Sequence, residues 1–250
     1  MQHHFFAYMN RMKLIRRWSL MRNTQRENDM EHSFQTAMFA HAIALLGNIR
    51  YERDYDAEHI AVLAMYHDAS EVITGDLPTP IKHNNPAIKK EYHKLESLAE
   101  KRLLTMLPAD IMSEYEPLIE PDEKSEAWRI VKAADKISAY IKCVEERKAG
   151  NLEFAQAEES TLASIRKIDL PEVQDFMDEF VPGFGMSLDE ISRGYYEKSV
   201  FCGRLFLVHH TVLCTCKGCC GRRERFLRRR RGRSCIRAGQ GTADRTPREH

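Results

Sequence analysis

Between Met30 and Ala149, apolar side chains return every three or four residues, and no stretch alternates apolar with polar at a period of two. That spacing lines one side of an α-helix and would leave a β-sheet without a buried face. The first helix predicted in this way runs from Met30 to Leu46, with Phe34, Ala37, Met38, Ala42 and Leu45 as its apolar stripe. Asn28 or Asp29 suits its N-cap, and Gly47-Asn48 its stop. A second helix is expected over Ala57–Ile73, its stripe running Ile60, Leu63, Ala64, His67. Neither proline of Gly75-Asp76-Leu77-Pro78-Thr79-Pro80 fits a helix interior, so the pattern breaks there. Further helices are expected over Pro86–Met106, Glu123–Ala149, Leu152–Ile168 and Pro171–Phe180. With no internal repeat, the fold class that follows is all-α, a bundle of five to seven helices.

The charge balance divides the chain after Ile191. Residues 192–250 hold 15 Lys and Arg against 4 Asp and Glu, a net of +11, whereas residues 1–191 hold 23 against 33, a net of −10. The overall +1 is a cancellation. Six of the seven cysteines also fall after the boundary, leaving Cys143 alone before it. A body with one thiol carries no internal disulfide, which fits a cytoplasmic protein. The domain reading is therefore 1–191 as one folded body and 192–250 as a disordered Arg/Cys-rich tail. Cys216 and Cys219 form a Cys-x-x-Cys, but no second pair at zinc-finger spacing accompanies them. The arginines of 222–237 suit non-specific contact with phosphate backbones. A shifted or read-through reading frame is one origin for such a tail. The apolar Phe5–Met9 run is soon interrupted by Arg11 and Lys13 and lacks a cleavage site, so it does not read as a secretory signal. No run of apolar residues is long enough to span a membrane.

Three places put metal-binding side chains on faces expected to be buried: His32, the adjacent His67-Asp68, and Asp135 within Val131-Lys132-Ala133-Ala134-Asp135. A buried carboxylate needs a partner or a cation. Two imidazoles and two carboxylates form a mixed nitrogen and oxygen set suited to Mn, Co, Fe, Ni or Zn. Taken singly, each has an ordinary alternative, since a lone His on a helix is more often a satisfied core or surface residue.

The order is more telling. A helical His, a His-Asp pair 35 residues on, and an Asp 67 residues after that resemble the HD-domain metal phosphohydrolases. His4-Phe5-Phe6, Arg17-Trp18, Leu20-Met21-Arg22-Asn23, Glu31-His32-Ser33, Tyr66-His67-Asp68-Ala69-Ser70-Glu71, Gly75 to Pro80, Ala134-Asp135 and Phe180-Val181-Pro182 resemble the bacterial 5′-deoxynucleotidases. The likeness runs from about His4 to Ile191.

This resemblance implies an HD-domain helical bundle that hydrolyses deoxyribonucleoside 5′-monophosphates. It implies His32, His67, Asp68 and Asp135 as ligands of one divalent cation, Co2+ first and Mn2+ or Zn2+ as other choices. Glu71, four residues after His67, would be the catalytic acid or base. Arg17 would hold the phosphate, Trp18 would exclude a 2′-hydroxyl, and Asp76 would bind the sugar. A homodimer is implied as well. Two rival readings are an HD enzyme acting on a triphosphate or a cyclic dinucleotide, and a basic-tailed nucleic-acid-binding protein with an idle helical body.

Overall fold

The computed structural model describes residues 2–78 and 85–193. The chain divides into two units, Met1–Ser187 and Leu188–His250. Among the described residues of the first, the α-helices are α1 Phe5–Met9, α2 Asp29–Arg50, α3 Ala57–Tyr66, α4 Glu71–Thr74, α5 Pro86–Leu104, α6 Ala109–Ile119, α7 Glu126–Lys148, α8 Ala155–Ile165 and α9 Pro171–Glu179. Among the described residues there is no strand, only an isolated bridge between Arg16 and Asn28. Thr79, Pro80 and the tail from 194, with its Cys-x-x-Cys and arginine run, lie outside the described residues. No described helix is long and apolar enough to cross a membrane.

Helix α2 lies at the centre, packed against α3, α7 and α9. Asn28 caps it: its side chain accepts from the N–H groups of Met30 and Glu31, while Glu31 reaches back to the Asn28 N–H. The shared core joins Ile43, Ile60, Leu63, Ile130, Val131, Ile137, Ile141, Val173 and Phe176. Each such side chain contributes about 1.5–3 kcal/mol by leaving water. A second cluster gathers Phe5, Met9, Met12, Leu103, Leu107 and Ile119 from the N-terminus, α5, the turn after it and α6.

Four expectations change. The stripe assigned to α2 is largely its outer face: Phe34 is 58% exposed, Met38 50% and Leu45 39%. The inner face carries His32, Ser33, Thr36, Ala37, Ala40 and Ala44, small or polar groups that let neighbouring helices come close. Gly47 does not stop α2 but lies inside it, where a Cβ would stand 2.7 Å from the Tyr55 ring. The second helix ends at Tyr66 rather than Ile73. Between them, tight three-residue turns run Ala69 N–H to Tyr66 O at 2.9 Å and Glu71 N–H to Asp68 O at 3.0 Å. Helix α6 had no forecast, its apolar positions being interrupted by Glu114, Glu116 and Pro117.

Candidate metal centre

The break after Tyr66 gives the site its shape. Neighbouring residues of an α-helix project in different directions, so His67 and Asp68 could not both aim at one point from within α3. In the turn they do. His67 Nε2 lies 3.2 Å from Asp68 Oδ2 and 3.9 Å from Asp135 Oδ1, the latter presented by α7. His32, from the first turn of α2, brings its Nε2 to 3.2 Å from Asp135 Oδ1 and 3.7 Å from Asp68 Oδ2. The ligand atoms of His32, His67 and Asp135 all lie within 4.8 Å of one another, a group that could hold a metal ion.

Hydrogen bonding on the far side of each ring tests that fit. His67 Nδ1 meets the Ala64 carbonyl at 2.8 Å. A carbonyl only accepts, so the ring proton sits on Nδ1. Ser138 donates its one hydroxyl proton to Gln35 at 2.6 Å, and so its oxygen must accept from His32 Nδ1 at 2.9 Å. In the neutral rings that can ligate a metal, both Nε2 atoms therefore carry lone pairs. They are buried, without a hydrogen-bond partner among the described residues, and they face carboxylate oxygens. Acceptors turned toward acceptors in a buried space are what a cation would hold together.

The electrostatics agree. Burial and the Arg17 charge push His32 down to about 4, which keeps it neutral at pH 7. Burial acts against a charge on His67, yet Asp68 and Asp135 outweigh it and raise the affinity for a proton, so the centre favours positive charge. Burial likewise opposes ionisation of Asp68 and Asp135, but His67 and Arg17, and Lys132 with His32, hold these carboxyls well below the usual range.

Arg17 approaches from the segment before α2. Its Nη1 lies 3.2 Å from Asp68 Oδ2 and 3.9 Å from Asp29 Oδ1, and its Nε 3.5 Å from Glu27 Oε2. Trp18 donates its indole N–H to Glu27 at 3.1 Å and stands with its ring centroid 5.3 Å from that of Phe154. Glu71 is buried at the start of α4, across the turn from His67 rather than one helical turn along a continuous helix. Burial and the charges of Asp68, Asp29 and Asp76 push it up to about 10, so it is a neutral acid at pH 7. Asp76, just past Gly75, is close enough to act on the charges of Arg17, Asp29 and Glu71.

Several residues here escaped the sequence reading. Asp29 is fully buried and pushed up to about 7 by burial and Asp68, but from sequence it passed as a cap candidate. Ser138 and Gln35 carry no chemical signature. Lys132 pairs with Asp135 at 2.8 Å, and its spacing of three residues was the one available hint. Two basic clefts adjoin the site: about 350 Å3 lined by Arg129, Lys132, Lys136 and Lys167 among others, and about 390 Å3 lined by Arg16, Arg17, Arg26 and Glu27 among others.

The fold is that of the HD-domain phosphohydrolases. One from Listeria innocua superposes with a TM-score of 0.64 at 20% identity, covering 79% of this chain and 98% of that one. A cyanophage S-2L HD phosphohydrolase, bound to dA and one catalytic Zn2+ ion, gives 0.53 at 17% identity over 74% and 98%. Within that class the chain belongs to the YfbR-like 5′-deoxynucleotidase family, which it matches over residues 4–184. The 5′-deoxynucleotidase of Photorhabdus temperata is 53% identical over 193 residues, 76% of this chain and 96% of the relative.

Proposed function

We propose that this protein is a phosphomonoesterase converting deoxyribonucleoside 5′-monophosphates and water into deoxyribonucleosides and phosphate. The observation that carries the reading is the pair of buried Nε2 atoms aimed at Asp68 and Asp135 without a hydrogen-bond partner, with the Arg17 guanidinium alongside. His32, His67, Asp68 and Asp135 would hold a divalent cation, for which Co2+ is the first choice and Mn2+ and Zn2+ the next. When bound, such an ion supplies Lewis-acid charge neutralisation and a nucleophile at neutral pH.

The chain's own groups do the rest. Arg17 offers a planar pair of donors to the phosphoryl oxygens. Glu71, neutral in its buried position, hands its proton to the 5′-oxygen as the P–O bond to the sugar breaks and water oxygen bonds to phosphorus. Trp18 closes the space that a 2′-hydroxyl would need, a filter that works by clash. Asp76 accepts hydrogen bonds from the sugar. A single ligand group among the described residues favours this reading over a two-metal phosphodiesterase.

The outward apolar face of α2, with Phe34, Met38, Leu45 and Ile49, suits the contact of a homodimer in the cytoplasm. Residues 192–250 take no part in turnover and contact polyanions only non-specifically. The test is phosphate release from dAMP and AMP after chelation and readdition of Co2+, Mn2+ or Zn2+. Metal-dependent release from dAMP and not AMP is expected. No such release from any deoxyribonucleoside monophosphate would overturn the reading.

A further inference from the structure

The segment carrying Arg17 and Trp18 is irregular apart from the bridge between Arg16 and Asn28. Trp18 nevertheless sits at φ 56°, in the left-handed region. For a bulky side chain this costs on the order of 1–3 kcal/mol and survives only where the surroundings over-determine it. What holds it comes from the last turns of α7. Glu146 is 1% exposed. Its carboxylate accepts from the Thr24 N–H at 2.9 Å, the Thr24 hydroxyl at 2.7 Å, the Gln25 N–H at 3.1 Å and Asn151 Nδ2 at 2.8 Å. Lys142, one turn earlier and also buried, pairs with Glu146 and donates to the Gln25 carbonyl.

The same groups reach Trp18 by two routes. Through the backbone, Asn151 donates to the Arg22 carbonyl at 2.6 Å, and Asn23 donates to the Trp18 carbonyl at 3.1 Å. Through the rings, the Lys142 ammonium stands 5.7 Å from the Phe154 centroid, and Phe154 packs on Trp18. A buried ion pair adds little net stability compared with apolar side chains of the same volume. Its use here is to fix one geometry.

We propose that Lys142 and Glu146 are positioning residues that hold Trp18 against the sugar and so set the preference for deoxyribo- over ribonucleotides. This rests on the role given to Trp18 above. Among the described residues, no hydrogen bond of the pair reaches His32, His67, Asp68 or Asp135, so its loss loosens the wall and spares the ligands.

Glu146→Gln keeps the shape and removes the charge. Three readouts apply: kcat/KM on dAMP and on AMP, Co2+ affinity by calorimetry, and Trp18 fluorescence in a Trp128→Phe background. The ratio of dAMP to AMP should fall about tenfold. Trp18 emission should shift to the red, and Co2+ affinity should stay within about twofold. Glu146→Asp, which retains the charge, should recover part of the ratio.

Trp18→Ala separates two kinds of failure. If it leaves the ratio unchanged, Trp18 is not the filter and both readings fall. If it collapses the ratio while Glu146→Gln leaves it intact, the positioning role alone is overturned. Should Glu146→Gln not fold, Lys142→Met and Thr24→Val take the same measurements, and an unchanged ratio in both is equally decisive against the pair.

Discussion

The ligand cluster and the Arg17–Trp18 segment meet at one point but are built by different means. His32 and Asp135 project from α2 and α7, the two longest of the described helices, and His67 from the turn that closes α3. The His67 ring is aimed by the Ala64 carbonyl three residues back, and the His32 ring by Ser138 of α7, the helix that also carries Asp135. The segment facing them has no regular structure and takes its shape from a carboxylate more than 120 residues away in sequence. The difference gives the two parts of the proposed activity different supports: the cation site stands on α2, α7 and the turn after α3, and the sugar filter on a strained segment tied down by α7.

That division can be broken from either side. The largest effect is expected from Asp68→Ala, which removes a proposed ligand and the Arg17 partner together; phosphate release from dAMP should drop by roughly a thousandfold or more. Glu71→Gln should lower kcat by about 10²–10³ while Co2+ affinity is retained, since the change removes a proton donor and not a ligand. Ser138→Ala strips the acceptor from His32 Nδ1 and should weaken metal binding by about 10–100-fold, with the dAMP to AMP ratio unmoved. Trp18→Ala is the mirror case: metal affinity holds, and the ratio falls about tenfold as AMP is admitted. Any crossing of these outcomes, a Ser138 variant that loses selectivity or a Trp18 variant that loses metal, would erase the distinction.

The smallest effect concerns pH. Burial works against the Glu146 charge, yet hydrogen bonds from Lys142, Asn151 and Thr24 hold its carboxyl well below the ordinary value of 4.5. A group depressed in the folded state contributes stability that is complete above its unfolded pKa and is lost as pH falls toward the folded one. The gap in melting temperature between the parent protein and Glu146→Gln should thus be widest above pH 5.5 and close on acidification, as followed by circular dichroism.

That His32, His67, Asp68 and Asp135 would meet was legible because they carry chemistry in their side chains and stand in a recognisable order. The α2 face was not. That helix bears apolar residues around much of its circumference, so periodicity alone could not choose between Phe34-Met38-Leu45 and the smaller Ala37-Ala40-Ala44 that pack inward. The turn at His67–Ser70 was hidden for a related reason: Ala69, Val72 and Ile73 continue an acceptable helical pattern, and only the need to aim two adjacent side chains at one point breaks it. Lys142 and Glu146 look like an ordinary i,i+4 pair on an exposed surface. Their burial is a product of tertiary packing against the Thr24–Gln25 backbone, which no local spacing announces.

The left-handed backbone of Trp18 has a consequence for behaviour on heating. A residue kept in a rarely populated conformation only by its surroundings is among the first to relax when those surroundings begin to fluctuate. The ligands on α2 and α7 have no such debt to local order. Warming the protein should therefore make it indiscriminate before it makes it inactive, with AMP turnover rising over a range of temperature in which dAMP is still being hydrolysed.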